Sequence, residues 1–110
     1  MKQGDIYWAN LNPGRGREQG GRRPVVIISG NAMNDHLGIF IVCPLSSKIK
    51  NYAGCVVMRR NKKNQLLADS EVITFQIRAI AGERLLKKIG VIAHTELEEI
   101  IKSLNEILIY

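Results

Sequence analysis

The chain has 110 residues, 45% of them hydrophobic and 24% charged, and a formal net charge of +6. That length supplies one core, so residues 1–110 read as a single domain, and the apolar content excludes a disordered chain. No apolar run approaches a membrane span, and the first residues lack the apolar stretch of a signal peptide, so a cytoplasmic protein with no membrane partner is expected. The charge is uneven: residues 1–63 carry 11 Lys+Arg against 3 Asp+Glu, a net of +8, whereas residues 64–110 net −2. A basic half on a small domain points to a polyanionic partner. Cys43 and Cys55 lie in apolar contexts (IVCPL and AGCVV) and form no CxxC pair. They read as small buried residues without a disulfide or metal role.

In chain order, DIYWANL alternates Ile6, Trp8 and Asn10 with Asp5, Tyr7, Ala9 and Leu11 and stops at Asn12-Pro13, the pattern of a strand. A loop follows in which Arg15, Arg17, Arg22 and Arg23 face one acid, Glu18, with Gly14, Gly16, Gly20 and Gly21 between them. Glycines leave backbone N–H groups open to a ligand and arginines offer a planar donor fork, so the loop reads as an anion site; an ordinary basic loop would be merely solvated. PVVIIS (24–29) is a continuous apolar run, a buried strand. A polar connection through Asn34 and Asp35 leads to the strand GIFIVCPLS (38–46). A lysine-bearing loop then reaches CVVMR (55–59), a short strand ending in the basic turn RRNKKN. SEVITFQIRAI (70–80) reads as a strand that changes direction near Gln76, and ERLLKK (83–88) as a helical turn.

The last quarter is helical. Thr95 is the expected N-cap, with Glu98 closing a capping box, and Leu97, Ile100, Ile101 and Leu104 form one apolar face. ILIY is expected to add a final short strand. Many short strands and one good helix imply a mostly β fold, a curved sheet or partly open barrel.

The chemistry is limited by what is missing. His36 and His94 are isolated, no HExxH, DxD or Cys/His spacing occurs, and the loop glycines precede a strand instead of a helix. Arginine and hydroxyl remain. Arg23 stands just before the strand that Pro24 opens, and Ser46 and Ser47 stand where GIFIVCPL ends. RNA cleavage needs no metal when the 2′-OH attacks the adjacent phosphate; it needs charge stabilisation on the non-bridging oxygens and two proton transfers. A guanidinium suits the first task and not the second. A serine at a strand end more often caps a turn.

GDIYWANLNP, EQGGRRPVVIIS, CPLSS, QIRAI and TELEEIIKSLNEIL together resemble the MazF/PemK family of toxins from bacterial toxin–antitoxin pairs. The resemblance covers essentially the whole chain in order, and EQGGRRPVVII is its most specific part. It implies an SH3-like, partly open barrel shared with the gyrase poison CcdB, and a homodimer. It also implies a cofactor-free, metal-independent endoribonuclease that cuts single-stranded RNA (mRNA) at a short sequence, leaving 2′,3′-cyclic phosphate and 5′-OH ends. A cognate antitoxin with an extended acidic C-terminal segment is the implied protein partner.

Residue by residue, the resemblance makes Arg23 the catalytic arginine and places Ser46 where a threonine often stands. Glu18 and Gln19 match an acidic–Gln pair that shapes the RNA groove, and Gln76 matches a glutamine that contacts RNA. Arg17, Gly20, Gly21, Arg22, Ser47 and Lys48 are read with them as RNA-binding, and Lys50 as a further phosphate contact. The residue before Gln76 is often acidic in the family, and here it is Phe75. Proton transfer therefore falls to Glu18, or Arg23 and Ser46 suffice with the substrate's help; Phe75 stacks on a base or packs in a core or dimer interface. Two other readings stand beside the ribonuclease: a CcdB-like protein-binding poison of DNA gyrase, and a homologue that binds RNA without cutting it.

Overall fold

The computed structural model describes residues 1–109. The elements are β1 (Asp5–Asn10), β2 (Arg22–Ile27), α1 (Asn31–His36), β3 (Ile39–Ser46), β4 (Val56–Met58), β5 (Ser70–Val72), a 3₁₀ turn (Thr74–Gln76), β6 (Arg78–Ala81), a second 3₁₀ turn (Gly82–Arg84), β7 (Leu85–Val91) and α2 (His94–Ile107). The strands form one antiparallel sheet in the order β4-β5-β3-β2-β1-β7, with β6 also paired to β3. This is the mostly β, partly open barrel-like architecture expected, with a C-terminal helix.

The long strand β3 organises the sheet. Its first half pairs with β6, from Ile39↔Ala81 to Val42↔Arg78, and its last residues pair with β5, Leu45↔Val72 and Ser46↔Glu71. Its other edge pairs with β2, Val25↔Pro44 to Ile27↔Val42. Alternation along β2 and β3 splits the core in two. Val26, Ile28, Cys43 and Leu45 face a cluster that α2 covers with Leu97, Ile100 and Leu104. Val25, Ile27, Phe40 and Val42 face a second cluster with Ala9, Leu11 and Ile80. Each fully buried aliphatic side chain here contributes about 1.5–3 kcal/mol.

Four local expectations change. Asn31–His36, read as a polar connection, is a short helix whose Asn34 is buried and donates its amide to the Ser29 carbonyl at 2.8 Å. ERLLKK is not helical beyond Arg84: Leu85 begins β7, because pairing with β1 (Ala9↔Leu85, Trp8↔Lys87) supplies ladder partners that a lone turn would lack. Helix α2 starts two residues earlier than Thr95 implied. Ala93 is the N-cap, and the Glu96 carboxylate, not Glu98, accepts its N–H at 2.8 Å. His94 is exposed in the first turn, 2.9 Å from Glu98. The ILIY strand is not formed: the helix runs to Ile107 and ends in a turn at Leu108, and Tyr110 lies outside the described residues.

The gap between β4 and β7 is covered by the basic turn after β4. Asn64, fully buried, donates to the Arg59 carbonyl at 2.9 Å and accepts from the N–H groups of Asn61 and Leu66. This tight turn packs on β7, where Val91 N–H donates to Lys63 O at 3.1 Å. Gly90 permits the approach, since a Cβ there would lie 2.3 Å from Asn64 O.

Candidate functional site: two basic clefts about one rung

The glycine–arginine loop is folded into a pinched hairpin. Leu11 N–H donates to Gly21 O at 2.8 Å, and Gly21 N–H donates to Asn12 Oδ1 at 2.7 Å. Gly14 and Gly20 touch backbone to backbone; a Cβ on Gly14 would stand 2.8 Å from Gly20 Cα. Arg84 holds its base: its Nη1 donates to Asn12 O at 2.9 Å and Asn10 O at 3.3 Å. Gln76 clamps its far side. Its Nε2 donates to Arg17 O at 3.0 Å and its Oε1 accepts from Gln19 N–H at 3.4 Å. The amide expected to contact RNA is thus engaged in positioning the loop.

Register brings the two principal candidates together. The β2–β3 pairing Val26↔Cys43 and Val25↔Pro44, continued two residues, sets Arg23 opposite Ser46. Ser46 is in turn the direct partner of Glu71 on β5. Ser46 and Glu71 thus form a rung that Arg23, two residues past the last β2–β3 pair, extends, and all three line one cleft. Arg23 Nε donates to Gly20 O at 3.1 Å, which fixes the guanidinium and leaves its terminal nitrogens for a ligand. Ser46 Oγ accepts from Lys48 N–H at 3.1 Å.

Two clefts meet at this rung, and Arg23, Ser46 and Lys48 line both. The first, about 700 Å³, also takes in Gly20, Arg22 and Ser47, with Trp8, 38% exposed, and Lys87 among its walls. The second, about 610 Å³, takes in Arg17, Gln19, Lys50, Gln76, Glu71 and an aromatic pair. That pair is Phe75, 48% exposed, set edge-on to Tyr52 at 5.8 Å between ring centroids, with Lys50 Nζ 5.9 Å from the Tyr52 ring. Phe75 is thus an exposed cleft residue and not part of the core.

Two candidates stand apart from this assembly. Glu18 is exposed at the loop tip and lines neither cleft. Gly21 also lines neither; at φ +75° it shapes the turn into β2. Sequence reasoning missed Trp8, Tyr52, Lys87 and Glu71. Only Glu71 carried a signal, a carboxylate inside the apolar run SEVI, where an unpaired charge is costly. No group of three His, Cys, Asp or Glu that could hold a metal ion occurs among the described residues. Cys43 faces the core cluster under α2, on the opposite side of β3 from Ser46, and burial pushes its thiol up to about 12, with Cys55 adding to it.

A profile of the family described as PemK-like, MazF-like toxin of type II toxin-antitoxin system matches residues 2–108. The chain belongs to that family. Among solved structures it is similar to the toxin MazF of Deinococcus radiodurans, at 27% identity over 98% of this chain and 96% of that one, with a TM-score of 0.85. The same organism's MazE–MazF complex matches at 26% identity, 98% and 95% coverage and a TM-score of 0.77. A mycobacterial endoribonuclease solved with its cognate antitoxin shares the fold at 19% identity, over 100% of this chain and 98% of that one, with a TM-score of 0.80.

Proposed function

We propose that this member of the toxin family is a metal-independent endoribonuclease that cuts single-stranded RNA by attack of a 2′-hydroxyl on the adjacent phosphate. The observation that carries it is the Arg23–Ser46 rung, set where two basic clefts meet, so that a strand threading both clefts lays a phosphate across it. Arg23 neutralises charge on the non-bridging oxygens as phosphorus becomes five-coordinate, with the Ser46 hydroxyl beside the reacting group. Holding Arg23 Nε on Gly20 O aims the fork in advance, so little reorganisation accompanies the reaction.

Arg17, Arg22, Lys48 and Lys50 serve as phosphate contacts along the clefts, with the backbone of Gly20 and the side chains of Gln19 and Ser47 beside them. Gly21 and Gln76 support RNA binding through the loop shape they fix. Trp8, Tyr52 and Phe75 offer faces and edges on which unstacked bases rest. The products are a 2′,3′-cyclic phosphate and a 5′-OH.

A homodimer of single toxin domains in the cytoplasm is the assembly proposed, neutralised by an antitoxin whose acidic segment competes for the basic clefts. The likeness to a MazE–MazF complex supports that partner. Incubating the protein with a long mixed-sequence RNA in EDTA tests the activity. Discrete cuts with 5′-OH ends, lost in Arg23→Ala, are expected; an RNA that stays whole across many sequences would refute it.

A further inference from the structure

Glu71 has no part in the chemistry described so far, yet it sits at its centre. It lies mid-strand in β5 and is 2% exposed. A carboxylate so buried is destabilising by several kcal/mol unless its oxygens are satisfied. Oε1 accepts from Lys50 N–H at 3.3 Å. Oε2 has no hydrogen-bond partner, the one buried side-chain polar atom in that position among the described residues. An unfilled buried acceptor in a cleft calls for an explanation, and a catalytic role is one.

Its surroundings say what the acceptor is for. Glu71 and Ser46 are direct antiparallel partners, so their Cα atoms are about 4.5–5.5 Å apart and their side chains share a face. Ser46 Oγ already accepts the Lys48 N–H, and its own hydrogen is free to be given away. Glu71, Ser46 and Arg23 line the same second cleft; no hydrogen bond joins Ser46 Oγ to the carboxylate in this structure, so the relay forms as the serine hydroxyl turns toward Oε2. Neither Glu18, outside both clefts, nor position 75, a phenylalanine, brings a carboxylate there.

We propose that Glu71 is the proton acceptor of the cleavage step, acting through the hydroxyl of Ser46. This rests on the ribonuclease function proposed above. The 2′-O–H bond breaks as the 2′-oxygen bonds to phosphorus; that proton passes to Ser46 Oγ while the serine's own proton passes to Glu71 Oε2. The bond from phosphorus to the 5′-oxygen breaks, and that oxygen takes a proton from water. The hydroxide left behind removes the proton from Glu71 and restores the carboxylate. Arg17, Arg23, Lys48, Lys50 and Tyr52 share the cleft with Glu71. The Cys55 thiol, in the segment before β4, lies near enough to Glu71 to feel its charge. Burial pushes that thiol up and the Glu71 charge adds to the effect, against hydrogen bonds to Thr74, so Cys55 does not compete as a base.

Glu71→Gln keeps the side-chain shape and an acceptor for Lys50 N–H, so it removes the base and little else. The comparison is single-turnover cleavage of an RNA carrying a site the parent cuts, from about pH 5 to 9, with affinity for the uncleavable 2′-deoxy analogue measured alongside. The rate is expected to fall about 10²–10⁴-fold with affinity within about twofold. The variant's rate should keep climbing roughly tenfold per pH unit, as hydroxide takes over, where the parent levels off. Ser46→Ala should show the same altered profile, and the double variant should be no slower than the slower single one, because the two groups act in series.

Glu71→Gln cutting within about threefold of the parent, on the parent's pH profile, would overturn the proposal. If Glu71→Gln does not fold, an unaltered profile in Ser46→Ala overturns it instead. A parent protein that cuts no RNA refutes the ribonuclease function itself; a parent that cuts beside a variant that cuts equally well removes only Glu71.

Discussion

Replacing Arg23 by alanine separates catalysis from stability, and the structure sets both magnitudes. The side chain is half-buried and makes one hydrogen bond, Nε to Gly20 O at 3.1 Å. Losing it costs about 1 kcal/mol of stability, against roughly 5–15 kcal/mol for a domain of ordinary stability, so the variant stays folded. The transition state loses far more. Removing a fixed donor from a developing oxyanion costs about 2.7–4 kcal/mol, a rate loss of about 10²–10³. Single-turnover cleavage at saturating protein measures the second quantity, and urea unfolding measures the first. Arg23→Lys should fall between: one ammonium keeps the charge but cannot hold Gly20 O and grip a phosphate with a fork. An Arg23→Ala protein within about fivefold of the parent rate would refute the assignment. So would a loss of rate that merely tracks the fraction unfolded.

Further outcomes follow from the loop, the sheet edge and the core. Gln76→Ala removes both ties to the glycine–arginine loop and should speed amide exchange at Gln19 while the sheet is unaffected; slow exchange at Gln19 would show that the loop holds itself. Gly90→Ala forces a Cβ to 2.3 Å from Asn64 O and should lower Tm by at least about 5 °C; an unshifted melt would mean the turn after β4 moves freely. Cys43 is fully buried and its thiol is raised from 9.0 to about 12, so the folded state holds its proton where the unfolded chain releases it. Its contribution is complete below pH 9.0 and is lost as pH rises from there toward about 12. Between about pH 8 and 10 the parent should lose roughly 1 kcal/mol more unfolding free energy than Cys43→Ala, and equal losses would contradict the burial argument.

The elements legible in the sequence are those in which one local pattern decides. Apolar alternation marked β1, the continuous run after Pro24 marked β2, and helical spacing of Leu97, Ile100 and Leu104 marked α2. Its start was misplaced because Glu96, Glu98 and Glu99 each fit the third position of some cap, and only Ala93 N–H on Glu96 chooses among them. The apolar residues of ERLLKK (83–88) also fit a helical turn; pairing with distant β1 makes strand from Leu85 onward. Arg23 and Ser46 were legible as strand-end residues beside turn signals. That Glu71 joins them depends on the β3–β5 register, which no local pattern records. The same limit hid the Gln76 clamp, since its partners, Arg17 and Gln19, lie far away in the chain.

The most direct test uses one synthetic RNA containing a site the protein cuts, made twice: once as all-RNA, and once with a single 2′-deoxy nucleotide just before the scissile phosphate. Both are incubated with the protein in EDTA. The all-RNA strand should be cut to a 5′-OH fragment and a 2′,3′-cyclic phosphate fragment, while the substituted strand binds equally well and stays whole. Cutting of the 2′-deoxy strand at the same phosphate, or 5′-phosphate ends on the all-RNA product, would contradict attack by the 2′-hydroxyl at the Arg23–Ser46 rung.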